Sequence, residues 1–154
     1  MFEKHRRRFQ EELAAVPLFS TLTPEQIASL AGRAYRAREP AGMTFTRTDE
    51  RGDELVVVLD GAVDVMIDGT VVATLGIGDF VGENALMDPD ARRTATVVAR
   101  SPVVVAYIGR HDFEALLADA PALRDTLDAT RAERTGSSGA ASGSGEDDAR
   151  RPPA

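Results

Sequence analysis

The spacing of apolar residues changes twice along the chain. Up to Val16, the positions Phe2, Phe9, Leu13 and Val16 are spaced to share one side of a helix. Thr23-Pro24-Glu25-Gln26 opens a second helix, with Thr23 as cap, Pro24 in the first turn and Gln26 completing a capping box. Ile27, Leu30 and Ala31 supply its buried stripe, and Gly32 with the Arg-rich stretch from Arg33 to Arg38 ends it. From Met43 to Ile108 the period becomes that of strands. Leu55 to Leu59 is a continuous apolar run, as expected of a strand covered on both faces, whereas Val63, Val65 and Ile67 alternate with Asp64 and Asp68. Asp60-Gly61 and Asp68-Gly69 sit between such runs and read as two-residue hairpin turns. Thr70 to Leu75, Thr94 to Ala99 and Val103 to Ile108 add three strands. Helical spacing returns at Asp112 to Ala118, and Pro121 starts a further helix running to about residue 134.

Many short strands with Gly-marked turns predict an α+β, mainly β domain: a jelly-roll-like barrel or sandwich flanked by helices at both ends. The expected organisation is one domain over 1–134, comprising a helical segment 1–38, a β-roll 43–108 and carboxy-terminal helices 112–134. After Thr135, residues 136–154 are Gly, Ser, Ala, Pro and charged residues, with no aromatic and no Ile, Leu, Val or Met, and the tail is taken as 135–154. Such a stretch buries too little apolar surface to offset its ordering entropy, and predicts a disordered tail.

Composition narrows the chemistry. With 154 residues and 43% hydrophobic content, one core is affordable. There is no cysteine, which removes disulfides, thiolate metal sites and cysteine nucleophiles together and fits a cytoplasmic protein. No apolar run approaches the ~20 residues of a membrane span, and the opening residues lack the secretory pattern. A net charge of −7 argues against general nucleic-acid affinity. His5 and His111 are isolated, so the inward histidine cluster of a metal-dependent jelly roll is not expected. Neither a Gly-x-Ser-x-Gly elbow nor a Walker loop is present, so catalysis is not predicted.

The densest chemistry lies in Gly78-Asp79-Phe80-Val81-Gly82-Glu83-Asn84-Ala85-Leu86-Met87, followed by Arg93-Thr94-Ala95-Thr96-Val97. Gly82 allows close backbone approach, and Asn84, Ala85 and Leu86 open a short helical turn whose unpaired N–H groups suit an anion. Arg93 adds a full charge and a bidentate fork, and Thr94 a hydroxyl donor. Arg92 competes for the same role, but strand alternation points Arg92 and Arg93 to opposite faces. Glu83 beside a phosphate is electrostatically unfavourable unless it accepts a hydrogen bond from the ligand, as a sugar 2′-OH would provide.

The string Gly82-Glu83-Asn84-Ala85-Leu86, a short loop, then Arg93-Thr94-Ala95-Thr96 resembles the phosphate-binding cassette of cyclic nucleotide-binding domains. That family includes the catabolite activator protein, regulatory subunits of cyclic-nucleotide-dependent kinases, and gated channels. Pro17-Leu18-Phe19, Thr23-Pro24-Glu25, Pro40-Ala41-Gly42, Gly52-Asp53-Glu54-Leu55, Asp60-Gly61-Ala62-Val63, Gly76-x-Gly78-Asp79-Phe80 and Asp112 to Leu117 fall where such domains carry similar residues. The resemblance implies a cyclic nucleotide ligand, cAMP ahead of cGMP, and no further cofactor. Residues 84–86 and Arg93 would hold its phosphate, Glu83 with Gly82 nearby its ribose, and Thr94 would complete the phosphate shell. Thr126, Thr130 and Arg131 are candidates for base contacts from a carboxy-terminal lid helix. Asn84 departs from the aliphatic residue common there.

Where transcription factors of this family continue into a helix-turn-helix, this chain has its low-complexity tail. The expectation is a stand-alone sensor that passes its signal, through movement of the flanking helices, to a separate protein still to be identified. Leu123 and Leu127 make a thinner apolar stripe than a long dimerisation helix carries, which leaves the oligomeric state open. A protein-interaction module that keeps the fold and binds no nucleotide is the alternative. Lys4, His5, Arg6, Arg7 and Arg8 form a basic cluster on the first helix, read either as a solvated face or as a docking surface for an acidic partner or headgroups.

Overall fold

The computed structural model describes residues 2–46, 54–82 and 95–130. Helix α1 spans Phe2–Ala14, a 3-10 turn Pro17–Phe19, and α2 Pro24–Arg33. Eight strands follow: β1 Tyr35–Glu39, β2 Thr44–Thr46, β3 Glu54–Asp60, β4 Val63–Ile67, β5 Thr70–Leu75, β6 Phe80–Val81, β7 Thr96–Ala99 and β8 Val103–Gly109. Helix α3 covers Arg110–Asp119, and residues 121–130 form α4.

The strands make two four-stranded antiparallel sheets, one in the order β1-β8-β3-β6 and the other β2-β7-β4-β5. Strand β1 pairs with β8, β2 with β7, β3 with β6 and β4 with β5. This is one long hairpin folded over and rolled, the jelly-roll arrangement, and the two sheets stay separate rather than closing as a barrel.

Alternation along β3 and β8 gives the first sheet two apolar faces. Leu55, Val57, Leu59, Ala106 and Ile108 join the helices in one core with Phe9, Leu13, Phe19, Leu30, Phe113 and Leu117. Val56, Val58, Val103 and Val105 face the second sheet and meet Val63, Val65, Val81, Ala95 and Val97. The continuous apolar run predicted for β3 is therefore a central strand covered on both sides. Val63, Val65 and Ile67 of β4 are buried, with Asp64 and Met66 between them half-buried, as the alternation predicts.

Two local expectations need correction. The Arg-rich stretch that was expected only to end the second helix contains β1. Its alternation is disguised by charge: Ala37 packs on the inter-sheet core, while Arg36 turns to the helix side and forks Glu12 of α1 through Nε and Nη2 at 2.7 and 2.9 Å. That hydrogen bond, opposed by partial burial and helped by the Glu12 charge, raises the Arg36 pKa. Asp60-Gly61 is not a hairpin turn, because β3 and β4 lie in different sheets. It is a corner, with Gly61 at φ 88 and the Asp60 carboxylate accepting from the Gly61 N–H. Asp68-Gly69 does form the β4–β5 hairpin turn, with φ of 52 and 79 at the two turn residues, the mirror-image geometry that suits strand twist.

Strand β5 is an uncharged sheet edge with Val71 and Val72 exposed. Its pairing with β4 skips Val72, since Val65 opposes Ala73 and Met66 opposes Val71. A bulge on an edge strand bends it and discourages pairing with another chain.

The capping box at α2 is complete: Gln26 N–H donates to Thr23 Oγ1 at 3.1 Å and Thr23 N–H to Gln26 Oε1 at 2.9 Å. The Gln26 amide also donates to the carbonyl of Asp119, and Arg33 lies 3.9 Å from Asp112, so α2 and α3 are tied at both ends. Thr23→Ala is expected to lower stability by about 1 kcal/mol, read from the midpoint of a urea unfolding curve.

Candidate functional site

The start of the candidate cassette is built by β6. Phe80 and Val81 pair with Val57 and Val56 of β3, Phe80 packing toward the helices and Val81 toward the second sheet. The approach from β5 is a tight glycine loop. The Asp79 carboxylate accepts from the Gly76 N–H at 2.9 Å, and Gly78 N–H donates to the Val58 carbonyl at 2.8 Å. Gly78 has φ 90, and a β-carbon there would lie 3.1 Å from Pro17 Cδ, so this loop rests directly on the 3-10 turn of the amino-terminal segment. Gly82 follows Val81, is buried and has φ 98, a backbone conformation that side chains rarely adopt.

The chain reappears at Ala95, fully buried in the inter-sheet core beside β7. The chain passes from one sheet to the other between β6 and β7, and the described residues on either side, Val81 and Ala95, both belong to the apolar cluster between the sheets. Of the predicted site residues, Gly82 is placed in this way. Glu83, Asn84, Ala85, Leu86, Arg93 and Thr94 lie outside the described residues, as does the short helix expected after Gly82.

Charge constrains what this region can hold. Arg36 and Arg38 are the only basic residues in the described strands, and alternation along β1 turns both toward the helix side. No described strand therefore directs a cation into the space between the sheets. Arg92 and Arg93, the candidates that the sequence offers for the counter-charge of an anion, lie outside the described residues. Among the described residues, no group of three or more His, Asp or Glu is placed to hold a metal ion.

Among the described residues, a polar group on this side of the first sheet is Tyr107, which sequence reasoning did not single out. Its phenol donates to Glu39 Oε2 at 2.6 Å, and its ring lies 6.1 Å from Tyr35 and 6.4 Å from Phe45. Burial first, then the hydrogen bond and charge of Glu39, push the phenol pKa up, so this group stays protonated. Its signal was the side it shares with Val103 and Val105 along β8.

Helix α4 carries the proposed base contacts. Thr126 and Thr130 are half-buried, and their hydroxyls donate to the carbonyls of Ala122 and Thr126 one turn earlier, at 3.1 and 3.0 Å. Each oxygen keeps acceptor capacity. Arg131 lies outside the described residues. Leu123 and Leu127 are both 0% exposed and pack in the helix-side core with Phe113, Leu116 and Ala120. The thin apolar stripe is thus used to dock α4 on its own domain.

Comparison with known proteins assigns this arrangement. The sequence model described as "Cyclic nucleotide-binding domain" matches residues 38–120. A cyclic nucleotide-gated potassium channel of Mesorhizobium japonicum is 37% identical over 130 residues, covering 84% of this chain and 36% of the channel. The chain spans about a third of the length of the curated relatives it matches. Among solved structures, the regulatory subunit of a cAMP-independent protein kinase A from Trypanosoma brucei, as a triple mutant bound to cAMP, superposes with a TM-score of 0.74 at 30% identity, over 82% of this chain and 47% of that one. The catabolite activator protein of Thermus thermophilus gives 0.68 at 29% identity, over 77% and 57%. With the jelly-roll order, the buried Gly82 at the end of β6 and the matched span agreeing, the chain belongs to the cyclic nucleotide-binding domain family.

Proposed function

We propose that this protein is a cyclic nucleotide sensor, a ligand-controlled switch rather than an enzyme, with cAMP as ligand ahead of cGMP. The observation that carries the reading is the frame around the candidate cassette: Gly82 is buried at positive φ at the end of β6, and Ala95 is buried between the sheets at the start of β7. The sequence between them contains Arg92 and Arg93, which can neutralise an anion. Arg93 would take the cyclic phosphate and Glu83 the ribose hydroxyl. The contact of Pro17 with Gly78 gives a short route from the cassette to the amino-terminal helices, and the ties between α2 and α3 extend it. Ligand shifts such helices only by its differential affinity for two arrangements. The output would pass to a separate protein in the cytoplasm.

The Trypanosoma structure favours a second reading for comparison. That subunit belongs to a protein kinase A described as cAMP-independent, and one of the three substitutions in its cAMP-bound form introduces an arginine. The second reading is an interaction module that keeps this fold and binds no nucleotide. Arg93 in this chain weighs toward the ligand-binding reading.

The test is a thermal-shift titration with cAMP, cGMP and AMP on the protein and on Arg93→Ala. At a hundredfold excess over Kd, a ligand that binds only the folded state adds about 2.7 kcal/mol, a rise in Tm of several degrees. The expected result is a rise with a cyclic nucleotide, weak or absent with AMP, and lost in Arg93→Ala. No rise with any of the three, or a rise that survives the substitution, would overturn the proposal.

A further inference from the structure

The first two turns of α1 stand clear of the domain. Residues Glu3 to Arg8 are exposed without a break, and Phe9, which follows them, is buried. A helix lying along a core hides a position every three or four residues, so six exposed residues in a row mean that no side of this segment is packed. It carries Lys4, His5, Arg6, Arg7 and Arg8 in a chain whose net charge is −7.

Nothing in the described fold accounts for that charge. Lys4, Arg6 and Arg7 make no ion pair with a described residue, and Arg8 reaches Glu12 only at 3.8 Å while Arg36 holds the same carboxylate more closely. Basic residues in the first turns of a helix oppose its dipole, and neighbouring like charges repel. Residues 4–8 are therefore locally unfavourable and contribute no packing.

We infer that this projecting basic segment docks the protein on an anionic phospholipid surface. At about 100° per residue, five consecutive side chains point to every side of the helix rather than forming one face. A rigid partner groove or a nucleic-acid duplex would meet part of that circumference and leave the rest unused. The headgroups of a fluid anionic layer are free to gather around a polybasic segment at its surface, so side chains on the flanks as well as on the near side find phosphate. Arginine is the predominant cation here, and its planar fork matches phosphodiester oxygens. The acidic remainder of the chain repels the same surface, and the projection holds it away. Each basic side chain near such a surface strengthens binding about fivefold (~1 kcal/mol).

The experiment is co-sedimentation of the full chain with phosphatidylcholine vesicles, with and without about one third phosphatidylserine. The expected result is binding to the anionic vesicles alone, at low salt, lost at about 1 M salt where the screening length is ~3 Å. The doubly substituted Arg6→Glu, Arg7→Glu protein should bind at least about 25-fold more weakly, while Arg6→Lys, Arg7→Lys should bind almost as the parent does. These side chains are exposed, and the reversal relieves rather than adds local repulsion, so no form should unfold at a lower temperature than the parent. Equal binding to neutral vesicles, or binding unchanged by charge reversal, would overturn the inference. Failure to bind anionic vesicles would overturn it too, and charge-dependent binding to polyglutamate or duplex DNA in that case would replace lipid with another polyanion.

Discussion

Phe113→Ala is expected to cost about 3–5 kcal/mol, a large part of the ~5–15 kcal/mol that holds a domain of this size together. Phe113 is 1% exposed and belongs to the core that joins α3, α4 and the outer face of the first sheet, together with Leu116, Leu117, Leu123, Leu127 and Ile108. Removing the ring leaves a cavity whose walls are fixed by several independent elements, so collapse recovers little of the loss. Denaturant unfolding monitored by circular dichroism measures the change. A loss below about 1 kcal/mol would show that the site repacks and that the helices are not braced by this side chain.

Gly61→Val is the second large effect. Gly61 turns the chain from one sheet into the other at φ 88, and a β-carbon there would lie 2.5 Å from the Pro102 carbonyl oxygen and 2.8 Å from Val103 Cγ1. The Pro102 oxygen is backbone and cannot swing aside as a side-chain terminus can. The left-handed conformation adds roughly 1–2 kcal/mol and the forced displacement about 1–3 kcal/mol more. The same corner is held by Arg100 N–H donating to the Ala62 carbonyl and Ala62 N–H to Ser101 Oγ, so both sheets feel the shift. The expected outcome is a fall in Tm of many degrees, with Gly69→Ala as a milder comparison, because no atom lies within 4 Å of a β-carbon there. Equal losses at the two glycines would show that backbone conformation, not the Pro102 contact, sets the cost at Gly61.

These cases show what sequence could convey. The Thr23 cap, the two-sided run of β3 and the Asp68-Gly69 turn are encoded within a few residues, and each was legible. Strand β1 was hidden because its helix-facing positions are arginines, whose fit depends on Glu12, 24 residues away. The corner at Gly61 resembled a hairpin turn because Asp-Gly has the same local chemistry whether the next strand pairs with the last or crosses to another sheet. Helix α3 extends beyond the apolar periodicity, from Asp112–Ala118 to Arg110–Asp119: it follows β8 directly at Gly109 with no side-chain cap, and the Ala120 N–H closes its last turn on the Leu116 carbonyl. In the site, the glycine at 82 was legible from its place in the motif, and the structure gives it a positive φ; Arg93 lies outside the described residues. Tyr107 was not, because its meaning comes from Glu39, Tyr35 and Phe45 on two other strands.

Strand β3 has a further consequence for how reliably the chain finds its fold. Most strands are guarded against sliding by one residue because a slip would bury polar side chains. Leu55-Val56-Val57-Val58-Leu59 offers no such guard, since a slip exchanges one greasy face for another. What differs is bulk. The helix-side pocket receives Leu55 and Leu59 among phenylalanines and leucines, whereas the gap between the sheets is lined largely by valine and alanine. A misaligned β3 would press two leucines into the narrower gap and leave valines facing the wider one. Correct alignment of this strand is thus chosen by side-chain size, and a version with valine at 55 and 59 would lose the distinction while looking equally hydrophobic.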